Sequence, residues 1–221
     1  MTTQIRENRA LLAAFEKRLL IRMAEQMPRA VNSDHLTVLA IAAMALTGAG
    51  FLLSRWDTQA LWLVILGLGL NWFGDSLDGT LARVRRAERP RYGYYVDHVL
   101  DLVGTALLLG GLAASPFMSP VLALALLVCY LLAAGEVFLA TTVHGIFRMS
   151  FVGIGPTELR LIIAAGTLAL FRDPHVALGP LGLVRLFDLG GVIAVVGLIG
   201  AFAMSAVRNT VALAKMEPSR Q

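Results

Sequence analysis

The sequence predicts an all-α, polytopic membrane protein, with six transmembrane helices around a cytoplasm-facing polar cavity and an N-terminal amphipathic interfacial helix before them. Three observations predict it. Of 221 residues, 57% are hydrophobic and only 15% charged, with a mean hydropathy of +0.71, whereas soluble domains run near a quarter charged. Apolar stretches recur along the whole length, leaving no room beside them for a soluble domain of the usual ~100 residues or more. The basic residues, finally, are distributed very unevenly between the connections.

A span needs roughly 20 apolar residues. Six segments meet or approach that length: 36–53, 60–81, 92–114, 120–143, 157–171 and 183–207, the fifth being the shortest. Six crossings put both termini on one side. That side receives Arg6, Arg9, Lys17, Arg18, Arg22 and Arg29 from the N-terminal arm and Arg83, Arg85, Arg86, Arg89 and Arg91 after the second span. Arg148, Arg160, Arg208, Lys215 and Arg220 complete it, so 16 of the 19 basic residues share it and only Arg55, Arg172 and Arg185 oppose them. Positive loops resist translocation, so the termini are expected in the cytoplasm of a cell (inner) membrane protein. Residues 1–33 then form a cytoplasmic arm, 34–208 the membrane domain and 209–221 a short tail.

Within the arm, Leu11, Leu12, Phe15, Leu19 and Met23 recur at three- and four-residue steps between Arg, Lys and Glu, which predicts an amphipathic helix over Arg9–Met27. It is expected in the headgroup layer, with packing on the rest of the protein as the other option. Pro28 ends it, and Asn32-Ser33-Asp34 supplies capping oxygens for the first span. The polar Met1 region does not read as a cleavable signal, so the first span is expected to be the insertion signal. Cys129 is the single cysteine and lies in an apolar run, which excludes an intrachain disulfide and a cysteine-based zinc cluster. No internal repeat is evident, which counts against many transporter architectures.

Ionisable residues inside spans are costly and therefore informative. Asp75, Asp78, Asp97, Asp101, Glu136 and Glu158 fall in or at the cytoplasmic halves of the spans. At 100° per residue, Asp75, Asp78, Gly79 and Ala82 share one face of the second span, and Gly93, Asp97, Asp101 and Gly104 form one stripe on the third. Four facing aspartates in low dielectric repel or take up protons unless cations neutralise them. Magnesium or manganese suits an all-oxygen set lacking cysteine and close histidine pairs. Two ions fit four carboxylates, and such sites commonly hold a phosphate or diphosphate. Gly79, Ala82 and Gly93 would leave room for a flat base and a diphosphate, although small residues also serve close helix packing, Gly104 in particular.

The run Asp75-Ser-Leu-Asp78-Gly79-Thr-Leu-Ala82-Arg83, nine residues, then Gly93-Tyr-Tyr-Val-Asp97-His-Val-Leu-Asp101 resembles the signature of the CDP-alcohol phosphotransferase (CDP-alcohol phosphatidyltransferase) family. Every fixed position of that signature is filled, over 27 of the 221 residues. The resemblance implies a six-helix membrane enzyme of phospholipid synthesis, usually a homodimer, with its site open to the cytoplasm. Such an enzyme passes the phosphoryl-alcohol unit of a CDP-linked donor to a hydroxyl acceptor, releasing CMP, and at least one of the two is a lipid. It implies Asp75, Asp78 and Asp97 as metal ligands and Asp101 as the base and a possible further ligand. Arg83 would contact the donor's phosphates, with Gly79, Ala82 and Gly93 around the nucleotide. No nucleic-acid partner is expected.

The donor class stays open. Asp97-His98-Val-Leu-Asp101 and Gly155-Pro156-Thr157-Glu158 resemble segments of the choline/ethanolamine phosphotransferases that use diacylglycerol as acceptor. The short chain more resembles enzymes that join CDP-diacylglycerol to a polar alcohol, which is the preferred reading. His98, Glu136, His144, Arg148, Glu158 and Arg160 are candidates for the acceptor pocket. Arg148 and Arg160 could grip an acceptor phosphate or anchor at the interface. Arg185 and Asp188 read as a helix-surface pair. A cation transporter or a non-catalytic scaffold would also carry acids in its spans, but the former would spread them through the bilayer depth and the latter would have lost some of them.

Overall fold

The computed structural model describes residues 13–144 and 155–217. The described residues fold into seven α-helices and one two-stranded hairpin: α1 (Ala13–Gln26), α2 (Ser33–Leu53), α3 (Leu61–Val84), α4 (Pro90–Ala114), α5 (Pro120–His144), α6 (Pro156–Leu170), β1 (His175–Ala177), β2 (Leu183–Arg185) and α7 (Leu186–Met216). Five helical segments are long and apolar enough to cross a membrane, namely 33–53, 58–84, 90–114, 120–143 and 186–216. With 15 residues, α6 reaches about 22 Å, short of the ~30 Å hydrocarbon core.

Within the stretch 9–27, where an amphipathic helix is expected, the structure has the helix α1 over Ala13–Gln26, with 9–12 outside the described residues. It docks on the bundle: Leu20 and Ala24 are buried against Leu36 of α2 and Leu77 and Leu81 of α3, while Lys17, Arg18, Arg22 and Glu25 face outward. Its Glu16 accepts hydrogen bonds from Trp72 Nε1 and Thr157 Oγ1, both at 2.7 Å, joining α1 to α3 and α6. The next helix begins where the capping oxygens were expected: the Asn32 side chain accepts the His35 N–H at 2.9 Å.

The hydrophobic effect does not drive helices together in lipid, so close van der Waals packing of small residues must. The buried face of α2 is built for it: Ala40, Ala43, Thr47, Gly48 and Gly50 are interspersed among Leu36 and Phe51. A Cβ on Gly74 of α3 would lie 2.6 Å from the Leu36 carbonyl oxygen, and one on Gly111 of α4 would lie 2.1 Å from that of Gly48. These glycines let α2 touch α3 and α4 backbone to backbone. As a result α2 packs extensively on both, whereas α3 and α4 make at most marginal contact with each other among the described residues. Behind this trio α5 packs on α4 and α7, and α6 bridges α3 and α7.

One expected boundary needs correction. Residues 183–185 do not open the last span but form β2, paired antiparallel with β1 so that Val176 faces Val184. Gly182 turns that hairpin at φ +73°, a backbone state open to glycine at little cost. A short apolar run reads alike as strand or helix, which is why composition alone started the span too early. At its other end α7 continues to Met216, because nothing in 208–216 breaks a helix. The Arg185–Asp188 pair is present at 3.9 Å, and Asp188 also accepts the Ser119 N–H at 2.6 Å, at the start of α5.

The packing gives a paired test on neighbouring glycines. Gly111→Ala should lower the melting temperature of the detergent-solubilised protein, at a cost of about 1–3 kcal/mol for overpacking against a backbone that cannot yield. Gly110 has open space where its Cβ would stand, so Gly110→Ala should raise it, by about 0.5–1 kcal/mol of helix propensity.

Candidate active site

Since α2 holds α3 and α4 apart, a cleft opens between their ends at the pole of the bundle where α2 and α4 begin and α3 finishes. It encloses a cavity of about 330 Å³. From α3 come Asp78, Gly79 and Ala82; from α4, Tyr92, Gly93, Val96 and Asp97; from the start of α2, Asn32, Ser33, Asp34 and Thr37. Leu77 and Leu81 are fully buried on the other side of α3, which fixes the rotation that turns Asp78 and Ala82 into the cleft. A Cβ on Gly93 would meet nothing within 4 Å, and one on Gly79 only the Arg83 guanidinium at 3.4 Å. Both glycines therefore border open space, whereas Gly104 is closed over by Met44 at 3.1 Å and serves packing.

Asp78 is held on several sides. It is buried, its Oδ2 accepts from Thr37 Oγ1 at 2.7 Å, and its backbone carbonyl accepts from Ser33 Oγ at 2.9 Å. It interacts electrostatically with both Asp97 and Asp75. Asp75 and Asp101 lie about one turn deeper on their antiparallel helices, about 4.5 Å and about 6 Å along the axis from Asp78 and Asp97 respectively. Tyr130 of α5, hydrogen-bonded to Thr105, lies within electrostatic range of both of these deeper acids. Asp75 is engaged by Arg160 Nη2 at 2.5 Å, and Arg160 Nε donates to Asn71 Oδ1 at 2.7 Å. Buried Asn71 in turn donates to the Ala40 carbonyl at 3.1 Å. The cluster thus has two tiers, one lining the cavity and one beneath it.

Among the described residues, no three His, Cys, Asp or Glu side chains already converge as a metal cage. The donor set nonetheless suits a hard divalent cation, being wholly carboxylate oxygen with no thiolate nearby. Asp75 and Asp78 are turned toward Arg160 and Thr37, the donors at hand for anions in a low-dielectric setting.

The other sequence candidates divide. Arg83 folds back to donate to Thr80 Oγ1 at 3.0 Å. His98 packs its ring 4.2 Å from Tyr94 and 5.2 Å from Phe138 of α5, with Nδ1 2.7 Å from the Tyr94 carbonyl, and does not line the cavity. Glu136 accepts from Asn209 of α7 at 2.7 Å. Glu158 closes the start of α6 by accepting the Gly155 N–H at 3.1 Å. Arg148 and the side chain of His144 lie outside the described residues.

Several site residues escape a reading of the sequence. Asn71 had a usable signal, since it stands one turn before Asp75 on the same face. Thr37, Tyr92 and Tyr130 had none, being ordinary in a span or at its end. Arg85 counted only as one of a basic run, yet it donates to the carbonyls of Val31 at 2.5 Å and of Met27 and Pro28 at 2.9 Å. That clasp ties the α1–α2 connection to the end of α3 and fixes where Asn32 and Ser33 meet the cavity.

Fold and site define an integral membrane protein with an acidic cleft suited to a metal-bound, phosphorylated ligand. The sequence profile of the CDP-alcohol phosphatidyltransferase family matches residues 31–203, and the chain belongs to that family. It is a transferase of substituted phosphate groups that acts in phospholipid biosynthesis, moving a phosphatidyl unit from a CDP-alcohol to an acceptor, and its family is generally dependent on divalent metal. No curated protein gives a significant match.

The Arg85 clasp is open to measurement. Arg85→Leu should raise amide hydrogen exchange over residues 27–34 by about tenfold or more, as expected for losing hydrogen bonds to a charged donor, with α3 itself still protected.

Proposed function

We propose that this protein joins CDP-diacylglycerol to a polar alcohol and releases CMP, working at the cytoplasmic face of the cell membrane. The observation that carries this reading is the cavity in which Asp78 and Asp97 meet the open space beside Gly79, Ala82 and Gly93. The nucleotide lies against those small residues, with Arg83 at its phosphates. Asp75, Asp78 and Asp97, with Asp101, would hold two Mg²⁺ or Mn²⁺ ions, which supply charge neutralisation of the diphosphate. Asp101 takes the proton from the acceptor hydroxyl, whose oxygen forms a new bond to the phosphorus bearing the diacylglycerol as the bond from that phosphorus to CMP breaks. Arg160, beside Asp75, supports an acceptor that itself carries a phosphate, because its guanidinium can exchange a carboxylate for one.

In this reading α6 is a sixth, short crossing, sheltered by α3 and α7, and the uneven basic residues put both termini in the cytoplasm. Residues 1–33 are the arm with its interfacial helix, 34–208 the catalytic membrane domain and 209–221 the tail. Two copies associate as a homodimer, following the family resemblance.

EDTA should abolish turnover, and Mg²⁺ or Mn²⁺ should restore it; full activity in metal-free buffer would exclude the carboxylate–metal reading. Asp75→Asn, Asp78→Asn and Asp97→Asn should each lose CMP binding together with turnover. Asp101→Asn should lose at least about a hundredfold in kcat, the usual worth of a general base, with CMP affinity kept. Thr37→Val, which removes the donor to Asp78, should raise the metal concentration for half-activity by about tenfold or more.

The donor class is decided by mass spectrometry of the lipid product when purified protein receives both CDP-diacylglycerol and CDP-choline-type donors. A product made only from the second, with diacylglycerol as acceptor, would replace the proposed substrate assignment. With a phosphorylated polar acceptor, Arg160→Ala should raise its KM by about tenfold or more.

A further inference from the structure

Among the described residues lining the cavity, three are acids and one is a cation: Asp34, Asp78 and Asp97 against Arg89. Asp78 and Asp97 are accounted for as metal ligands in the proposed function, which leaves Asp34 and Arg89 without a role there. Arg89 immediately precedes α4, and its guanidinium is occupied twice. It pairs with Asp34 of α2 and lies 4.1 Å above the centre of the Tyr92 ring. Both charged side chains are well exposed, at 51% and 46%, while Asp78 is buried and Thr37 beside it half-buried. Asp34 stands in the first turn of α2, where the helix dipole favours an anion.

We propose that Arg89 is a donor-binding residue that grips a phosphate of the CDP-linked substrate, and that Asp34 is a built-in competing anion which keeps the guanidinium at the cavity mouth until that phosphate displaces it. The inference rests on the reading of this cavity as the donor site. A carboxylate and a phosphate offer the same planar fork the same pair of acceptor oxygens. The relative magnitudes favour the exchange. An ion pair this exposed changes an equilibrium by about fivefold at most, whereas a charge-assisted contact to a bound phosphate is worth about tenfold or more. The Tyr92 face keeps the guanidinium beside the cavity during the exchange.

The alternative is that the pair simply bolts the start of α4 to the start of α2. The two roles predict opposite signs for one variant. A bolt loosens whichever half is removed, so Asp34→Asn and Arg89→Ala would both weaken nucleotide binding. A competing anion makes them diverge.

The experiment is isothermal titration of CMP into the full-length protein in detergent with Mg²⁺, with melting temperatures recorded in parallel. Arg89→Ala should weaken CMP by about tenfold or more, and Arg89→Lys, which loses the fork and the stacking, should also weaken it. Asp34→Asn should tighten CMP by about two- to fivefold, and that gain should vanish in the Asp34→Asn/Arg89→Ala double variant. Arg89→Gln takes the place of Arg89→Ala if the latter melts early. Wild-type protein that binds no CMP with Mg²⁺ or Mn²⁺ overturns the donor-site reading and this inference together. Wild-type protein that binds CMP, with Asp34→Asn weakened or unchanged or with Arg89→Ala unchanged, overturns this inference alone.

Discussion

The contact of α2 with α3 and α4 at backbone distance is the constraint on which the rest depends. It exists because small residues meet at each crossing, Gly74 against Leu36 and Ala40 on one side and Gly111 against Gly48 on the other. The two helices drawn onto α2 make at most marginal contact with each other among the described residues, and the wedge left between their ends is the cavity. The same arrangement brings the N-terminal turn of α2 to the mouth of that wedge. Thr37 thereby reaches Asp78, and Asp34 reaches Arg89. Packing and site have a single cause.

Charge imposes the second constraint. Four aspartates on two antiparallel helices would be untenable in an apolar surround without compensation, and the protein divides them by depth. The upper pair lines the cavity, with Asp78 itself buried. Of the lower pair, Asp75 is tied to Arg160, which also donates to Asn71 and so links the acids to α6. α6 is also the shortest of the long helices and shares Glu16 of α1 as a hydrogen-bond hub. This short helix is therefore fastened to α1 and α3 by polar contacts.

Much was legible from the residues in order. Each of the seven α-helices among the described residues falls on a segment marked by its apolar pattern, because the length of an apolar run and the spacing of apolar residues are local properties. Pro28 and Asn32 marked the end of α1 and the start of α2, since a missing N–H and a capping oxygen act within one turn. The acid stripes on α3 and α4 followed from helical geometry alone, and Asp78, Gly79, Ala82, Gly93 and Asp97 are among the residues that line the cavity. The hairpin at 175–185 was not legible, since its few apolar residues carry no period long enough to separate strand from helix.

What the sequence determined by itself was the membrane setting, the family and the identity of the acids, because composition and spacing are written along the chain. What only the tertiary structure decided was which partner each group meets. His98 stands next to Asp97 in sequence yet packs on α5, while Arg160, 85 residues beyond Asp75, reaches it. Arg85 and Arg89 looked alike within one basic run, and only the closure of α2 against α3 and α4 made one a clasp on backbone carbonyls and the other the cation of the cavity mouth. Such roles depend on the distance between helices remote in sequence, and that distance is set by small residues whose contact surfaces exist only once the helices have met.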